Sequence, residues 1–516
     1  MPENISLDQI QNFKGKYPKQ LWSLFFSEMW ERFCFYGMRG MLTYFMVTEL
    51  LMRDDDANLQ YGATQAFVYA FTFIGGLFAD KILGFRKSLF WGGILMIIGS
   101  AILAYDPHKF FFLGISFTIV GTGFFKPNIS TMVGSLYKTN DSRRDAGFSL
   151  FYSGINIGAL LGGYACITIG KEYSWHLAFG LAGIVMVISL ITFLFTQKTL
   201  GPIGLPPVGD ESIEDIVVDG IDDKVQTEPV KISRQAANKK WYDYAVYAGS
   251  LAVIPLIMIM VSKTQYTDLF MYIIGPATLV YLVYEMSKYG WAERKKLLAA
   301  LIFIIFSILF WAFFEQSGGS LSLFAASNLD KTVLGIPLDP NGVNNAANSL
   351  FVIVFAPILG IIWLVMAKKK IEPNTVVKFG LGFLFLAGAF FIFYSTRFFA
   401  SANGIASLDI FTLAYFIITF GELCLSPIGL SIMTKLSPVK LQGVMMGMWF
   451  LASAYGQYVA GILGAGLAQG GEHDTLMQKL ITYTDGYKQL AIYALIAGLV
   501  LIAISPFVKK LMQEVK

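Results

Sequence analysis

Leu21–Met52 reads LWSLFFSEMW ERFCFYGMRG MLTYFMVTEL LM, a stretch apolar enough to cross a bilayer that nevertheless carries Glu28, Glu31, Arg32 and Arg39. At about 100° per residue of helix, Glu28, Arg39 and Arg32 fall at roughly 0°, 20° and 40°, with Glu31 near roughly −60°. All four share one side, and most of the opposite side is Leu, Phe, Met and Val. A charge at the bilayer centre costs at least roughly 2.5–3.5 kcal/mol, so such residues normally face a bundle interior and mark a pathway. The stretch reads as a helix lining a polar route through a membrane protein.

The rest of the chain agrees. Of its 516 residues 55% are hydrophobic and only 14% charged, against about 25% charged in soluble domains. Fifty glycines suit closely packed membrane helices, where small residues let backbones approach. Cys34, Cys166 and Cys424 all fall inside apolar segments and suggest neither a disulfide framework nor a metal cluster. His108, His176 and His473 sit in or beside predicted loops, which leaves proton chemistry at membrane depth to carboxylates. Met1–Gln20 is polar and does not read as a removable signal peptide. No Ser/His/Asp, Cys/His or metal-ligand grouping accompanies the membrane charges, so an enzyme is not expected, and neither is a nucleic-acid partner.

A membrane helix needs about 20 predominantly apolar residues. Segments of that kind lie near 21–51, 60–80, 88–105, 110–135, 147–169 and 175–197, then 241–262 and 267–288, and finally 297–325, 346–367, 376–396, 408–434, 442–468 and 487–508. The expected fold is therefore all-α and membrane-embedded, with 14 transmembrane helices as six, two and six. The corresponding units are an N-terminal segment 1–20, a six-helix bundle 21–197, a linker 198–239, an inserted helix pair 240–290, a second six-helix bundle 291–510 and a tail 511–516. The linker holds Pro202, Pro206 and Pro207 and a run of acids from Asp210 to Asp223.

Cations gather in alternate connections: Lys81, Arg86 and Lys87; Lys138, Arg143 and Arg144; Arg294, Lys295 and Lys296; Lys368, Lys369 and Lys370. The intervening ones hold isolated cations and the acidic run Asp54–Asp56. By the positive-inside rule both termini and the linker lie in the cytoplasm, in a multi-pass protein of the cell (inner) membrane. Two six-helix halves joined on that side suggest the major facilitator architecture, whose halves rock about a midplane site. The run Gly76-Leu77-Phe78-Ala79-Asp80-Lys81 followed by Gly84, Arg86 and Lys87 resembles that superfamily's loop motif.

Beyond the first helix, charges at membrane depth are few. Lys126 precedes Pro127, which removes a helix hydrogen bond and can kink the helix. Glu315 lies within Phe310–Gln316 and Glu422 within Gly421–Pro427. Helical spacing puts Trp311 beside Glu315 and Ser426 beside Glu422. The first half thus offers cations in excess (Arg32, Arg39, Lys126) and the second half carboxylates. A zwitterion held across the halves would turn its carboxylate to the first and its amine to the second. The same charges could instead pair as Arg39–Glu315 and Lys126–Glu422, closing opposite ends of a cavity in turn. Protonating a glutamate would then release its basic partner.

Glu28-Met29-Trp30-Glu31-Arg32-Phe33-Cys34-Phe35-Tyr36-Gly37 resembles the E-x-x-E-R-F-x-Y-Y-G signature of the proton-coupled oligopeptide transporter family. Phe124–Asn128 looks like that family's F-K-P-N segment, and Phe148–Leu160 its F-Y-x-x-I-N-x-G-[SA]-L signature. The inserted helix pair is similar to that of bacterial di- and tripeptide permeases. The resemblance implies a symporter that imports di- and tripeptides, with protons as the coupling ion, membrane lipid as surroundings and no further cofactor. It implies a proton-linked cluster of Glu28, Glu31 and Arg32, joined by Glu315, with Arg32 and Lys126 near the peptide carboxylate. Tyr36, Tyr69 and Asn156 would line the first-half pocket. Trp311, Glu422, Ser426 and Trp449 would shape the second half, with Glu422 and Asn348 toward the peptide amine. Arg39 and Glu315 would form an external gate, and Lys126 and Glu422 its counterpart.

One departure stands out. Phe35 occupies the place of the signature's first Tyr, which would remove a hydroxyl from the pocket. Two rival functions remain, a symporter of another anionic solute and a membrane sensor that binds peptide without moving it. Peptide competition separates the first and solute-driven proton flux the second.

Overall fold

In a bilayer every backbone N–H and C=O must find a partner within its own segment, which makes helices of long apolar runs. The computed structural model describes residues 5–138, 141, 143–206, 240–425, 429–438, 441–468, 474–513 and 515. A short amphipathic turn, α1 (Leu7–Gln11), precedes the first bundle. That bundle comprises α2 (Lys19–Thr48), α3 (Asp54–Phe78), α4 (Phe85–Tyr105), α5 (Pro107–Ser135), α6 (Arg144–Glu172) and α7 (Trp175–Thr196). The inserted pair is α8 (Lys240–Ser262) and α9 (Thr264–Ser287). The second bundle holds α10 (Trp291–Phe314), α11 (Ser320–Asn328), α12 (Pro340–Lys368), α13 (Thr375–Ser395), α14 (Leu408–Leu425), α15 (Gly429–Leu436), α16 (Gln442–Leu467) and α17 (Leu476–Met512).

Among the described residues thirteen helical segments are long and apolar enough to cross a membrane. The charged helix α2, of 30 residues, is the fourteenth, so the all-α fold of six, two and six spans is the one observed. Its helix ends follow local chemistry. Asp106 and Asp339 cap α5 and α12 through their side chains, each with Pro at the first turn, where no amide hydrogen is needed. Asp54–Asp56 fill the first turn of α3, which the helix dipole favours, so that helix begins earlier than hydropathy suggests.

Two spans are interrupted where the sequence reading runs them on. The span expected over 297–325 stops at Phe314, passes through a tight turn at Glu315–Gly318 and restarts as α11. Gly318 and Gly319 supply the break, since glycine is a poor helix former. The span expected over 408–434 ends at Leu425 and resumes at Gly429. By contrast α5 continues through Pro127, its one non-helical residue being Phe110.

The spans alternate in direction, so α1, the start of α2 and the end of α17 share one side, called here the terminal side; the other is the far side. The bundles meet where α3 crosses α16 and where α6 meets α12. A Cβ on Gly62 of α3 would lie 2.6 Å from the Gly461 Cα of α16; only glycine permits that approach, and such close packing holds helices together where lipid is as apolar as leucine. The inserted pair lies against both bundles. α8 docks through Lys87–Asp243 at 2.5 Å and Trp91 Nε1 donating to Ser250 Oγ at 2.9 Å. α9 docks through Tyr458 OH donating to Asp268 Oδ1 at 2.6 Å and the Phe67–Phe270 rings at 5.6 Å.

On the terminal side the N-terminal segment is built into the first bundle. Arg143 Nη1 donates to the carbonyls of Phe13 and Gly15 at 3.0 and 3.1 Å, and its guanidinium stacks 3.8 Å from the Phe13 ring. Asp141 holds that guanidinium with both oxygens, at 3.0 and 2.7 Å. This carboxyl is held down at about 2 by its hydrogen bonds with Arg143.

Candidate functional site

The four charges of α2 occupy one side of the helix, as its period requires, and fall into two neighbourhoods. Arg32 Nε reaches Glu28 Oε1 at 3.1 Å and also bonds Glu31 Oε2. The three side chains are no more than 2% exposed. Their remaining atoms are unfilled: Glu28 Oε2, Glu31 Oε1 and Arg32 Nη2 are buried without a hydrogen-bond partner among the described residues. Two carboxylates thus share one buried guanidinium, a cluster that one proton would bring to neutrality.

Two turns on, Arg39 donates from Nε to Tyr61 OH at 2.7 Å and forms an ion pair with Glu315 of the second bundle. The break after α10 is what places Glu315 there, as the C-cap of that helix. Tyr36, between the two arginines, has its ring 5.6 Å from the Arg39 guanidinium carbon.

A cavity of about 270 Å³ lies between the bundles. Glu28, Arg32, Tyr36, Arg39, Tyr69, Lys126 and Asn156 line its first-bundle wall. Trp311, Glu315, Asn348 and Glu422 line the facing wall. Lys126 Nζ sits 4.4 Å from the centre of the Tyr69 ring, a cation–π contact strengthened by desolvation. Glu422 accepts from Asn348 Nδ2 at 3.0 Å and from Tyr152 OH at 3.5 Å. Among the described residues no ion pair joins Lys126 to Glu422; both charges remain available to the cavity.

Some expected residues lie elsewhere. Glu31 is wholly buried behind Arg32 and outside the lining. Trp449 packs against Gly429 at the start of α15, in the core of the second bundle. Ser426 lies outside the described residues. Phe35 also misses the large cavity. It stacks 5.1 Å from the Arg32 guanidinium carbon and faces a separate cavity of about 20 Å³ beside Thr64, Gln65 and Thr118. The hydroxyl that the signature would carry is therefore not subtracted from the large cavity.

Other residues join the site unannounced. Tyr152 reaches Glu422, and Asn156 Nδ2 donates to the Tyr152 carbonyl at 3.0 Å; their spacing of four on one helix was the available signal. Asn344 and Asn345 line the cavity with Asn348. Four asparagines at the head of one apolar span, Asn341, Asn344, Asn345 and Asn348, were a readable oddity, because such groups cost energy in lipid unless partnered.

The polar links between the bundles gather toward the far side. Besides Arg39–Glu315 these include Thr43 Oγ1 with the Gly318 carbonyl, Asn345 Nδ2 donating to the Gly40 carbonyl at 3.3 Å, Lys171–Asp339 at 2.5 Å and Tyr483 OH donating to Asp54 Oδ2 at 3.2 Å, while Tyr152 OH to Glu422 at 3.5 Å crosses nearer the terminal side. The cavity is fastened shut on the far side in this structure.

Comparison with known proteins gives a consistent picture. A family model described as the POT family matches residues 86–479. The chain is 34% identical over 463 residues to the peptide transporter YePEPT of Yersinia enterocolitica subsp. palearctica, covering 87% of this chain and 88% of that one. It is 31% identical to a di-/tripeptide transporter of Lactococcus lactis subsp. cremoris, covering 97% of each. A solved structure of a mutant peptide transporter POT in complex with alafosfalin superposes with a TM-score of 0.79 at 31% identity, covering 99% of this chain and 100% of that one.

Proposed function

Because this chain belongs to the POT family of membrane transporters, we propose that it is a symporter moving di- and tripeptides together with protons by alternating access. The observation that carries the reading is the division of charge across the cavity. Arg32 and Lys126 line one wall and Glu422 with Asn348 the other. A peptide presents its carboxylate to the first and its amine to the second, so recognition rests on groups every peptide shares. Side chains are left to aromatic walls that discriminate weakly.

Proton coupling would run through Glu28, Glu31 and Arg32, with Glu315 at the gate. Arg32 Nη2 is unfilled, and a proton on either neighbouring glutamate would loosen the hold on its guanidinium. Substrate carboxylate and proton would then arrive together, each lowering the cost of burying the other. Arg39–Glu315 would be the external gate, closed here, and Lys126–Glu422 the opposing one, open here. The basic clusters support a cytoplasmic terminal side in the cell (inner) membrane, so the cavity would be turned inward.

The test is uptake of labelled dialanine into proteoliposomes under an imposed inward proton gradient. Uptake should collapse when the gradient is dissipated, and Arg32→Ala should abolish it. An amide-capped dipeptide should compete far less well than the free acid. Equal competition by both would remove the assigned carboxylate clamp.

A further inference from the structure

Asn345 of α12 is the residue of the second bundle that enters a notch in the first. Its Nδ2 donates to the Gly40 carbonyl at 3.3 Å. A Cβ on Gly40 would stand 2.7 Å from that Nδ2 and 3.1 Å from Oδ1. On the other side of the notch, a Cβ on Gly163 of α6 would stand 3.1 Å from the Asn345 carbonyl and 3.2 Å from its Cβ. Two glycines on two helices of one bundle thus make room for one side chain of the other. A side chain at Gly40 would collide with the Asn345 carboxamide and one at Gly163 would crowd its backbone carbonyl and Cβ, so Asn345 occupies space that the two glycines leave open.

The position matters as much as the fit. Asn345 lines the cavity, and Gly40 directly follows Arg39, whose guanidinium pairs with Glu315. Asn348, one helical turn further along, holds Glu422 at 3.0 Å. No described residue donates to Asn345 Oδ1, which leaves one face of the carboxamide for a ligand N–H.

We propose that Asn345 is a positioning residue, a latch in the roof of the cavity that reads occupancy and holds the bundles together on the far side. The latch rests on the reading of this chain as a transporter whose two bundles rock, and goes beyond it. For the far side to open, Asn345 must leave the notch and break its bond to Gly40. A ligand N–H donating to Oδ1 polarises the carboxamide and strengthens the bond from Nδ2, because linked hydrogen bonds reinforce one another. Occupancy therefore favours the closed roof. With the cavity empty the bond from Asn345 to Gly40 is long and unreinforced, so the roof loses part of its hold and opens more readily.

Spin labels at Leu51→Cys and Leu334→Cys test this directly. Both leucines are on the far side, on different bundles, and 84% and 86% exposed. The three native cysteines are buried, so labelling goes to the introduced ones. Distances are measured by pulsed electron resonance in nanodiscs, with and without dialanine. In the otherwise unaltered protein dialanine should shrink the long-distance population. Asn345→Leu keeps the side chain's size without its donor, and Gly40→Ala keeps the asparagine but blocks the notch. Each should raise the long-distance population in the empty protein by roughly three- to tenfold, the effect of one such bond, and each should abolish the response to dialanine. Asn345→Ser serves if the leucine variant does not reach the membrane. Unchanged distributions in these variants would overturn the latch. Variants that spring open in a protein otherwise indifferent to dialanine would uphold the latch and count against peptide as its ligand.

Discussion

Arg39 and Glu315 meet across the boundary between the bundles, 276 residues apart in the chain, while Lys126 and Glu422 on the same cavity walls form no such pair. The Arg39 and Glu315 side chains are 15% and 5% exposed. Breaking a largely buried pair by removing one charge leaves the other uncompensated, at a cost of roughly 3–5 kcal/mol. One end of the cavity is crossed by an ion pair between the bundles, and toward the other the link is the long hydrogen bond from Tyr152 OH to Glu422 at 3.5 Å.

The pair can be probed without changing shape. Glu315→Gln retains an acceptor for Arg39 but removes the charge. Proton-driven dialanine uptake should fall at least about tenfold, equivalent to about 1.4 kcal/mol or more in the limiting step. Full uptake with an intact proton dependence would detach the pair from the transport cycle.

The second ion pair between the bundles, Lys171–Asp339, sits nearer the rim, with side chains 20% and 14% exposed. Asp339 also caps α12 by accepting from the Gly342 amide at 2.8 Å. Asp339→Asn keeps the cap and loses the charge, so it should alter maximal uptake only about two- to fivefold, because partly exposed pairs are worth about 0.2–1 kcal/mol. Asp339→Ala also loses the cap, for about 1 kcal/mol more of stability. Thermal unfolding in detergent should rank Ala below Asn; equal values would deny the capping role.

Glu422 is held by Asn348 at 3.0 Å and Tyr152 at 3.5 Å with its charge facing the cavity. Glu422→Gln should weaken a free-amine dipeptide by about tenfold or more, as loss of a buried charge partner does, and should leave an N-acetylated dipeptide within about twofold. Competition against labelled dialanine gives both values. Equal losses for the two would mean that Glu422 does not meet the amine.

The brace beneath the first bundle makes a prediction about pH. Asp141, held at about 2 by Arg143, is depressed in the folded protein relative to an ordinary Asp near 3.9. Its contribution is therefore fully present above roughly pH 4 and is lost only as pH falls toward about 2. Hydrogen-exchange protection of residues 5–18, taken relative to the intrinsic exchange rate at each pH, should be unchanged between pH 8 and pH 5. Asp141→Asn should lower that protection at any pH in that window. Loss of protection between pH 7 and pH 5 in the unaltered protein would show that another group controls the brace.

Much of this architecture was legible in the chain because the determining properties are local. Helix period alone put Glu28, Arg32 and Arg39 on one side of α2, and segment hydropathy alone counted the spans. Charge bias separated the cavity walls into cationic and acidic. Misplaced boundaries had local causes of a subtler kind. The glycine pair after Ser317 breaks a span whose hydropathy is continuous, so hydropathy alone does not mark the break. Trp449 was assigned by resemblance to a wall it does not line, because a side chain's neighbours depend on how α15 and α16 lean together.

What the sequence by itself determined is the set of helices, their polar faces and the balance of charge between halves. Tertiary structure alone decided which charges are paired. Whether Arg39 or Lys126 finds an acid depends on the rigid-body placement of two bundles, and no residue spacing encodes that. The notch formed by Gly40 and Gly163 is of the same kind. Each glycine is unremarkable in its own helix, and only their juxtaposition, with α12 brought alongside, leaves the space that Asn345 fills.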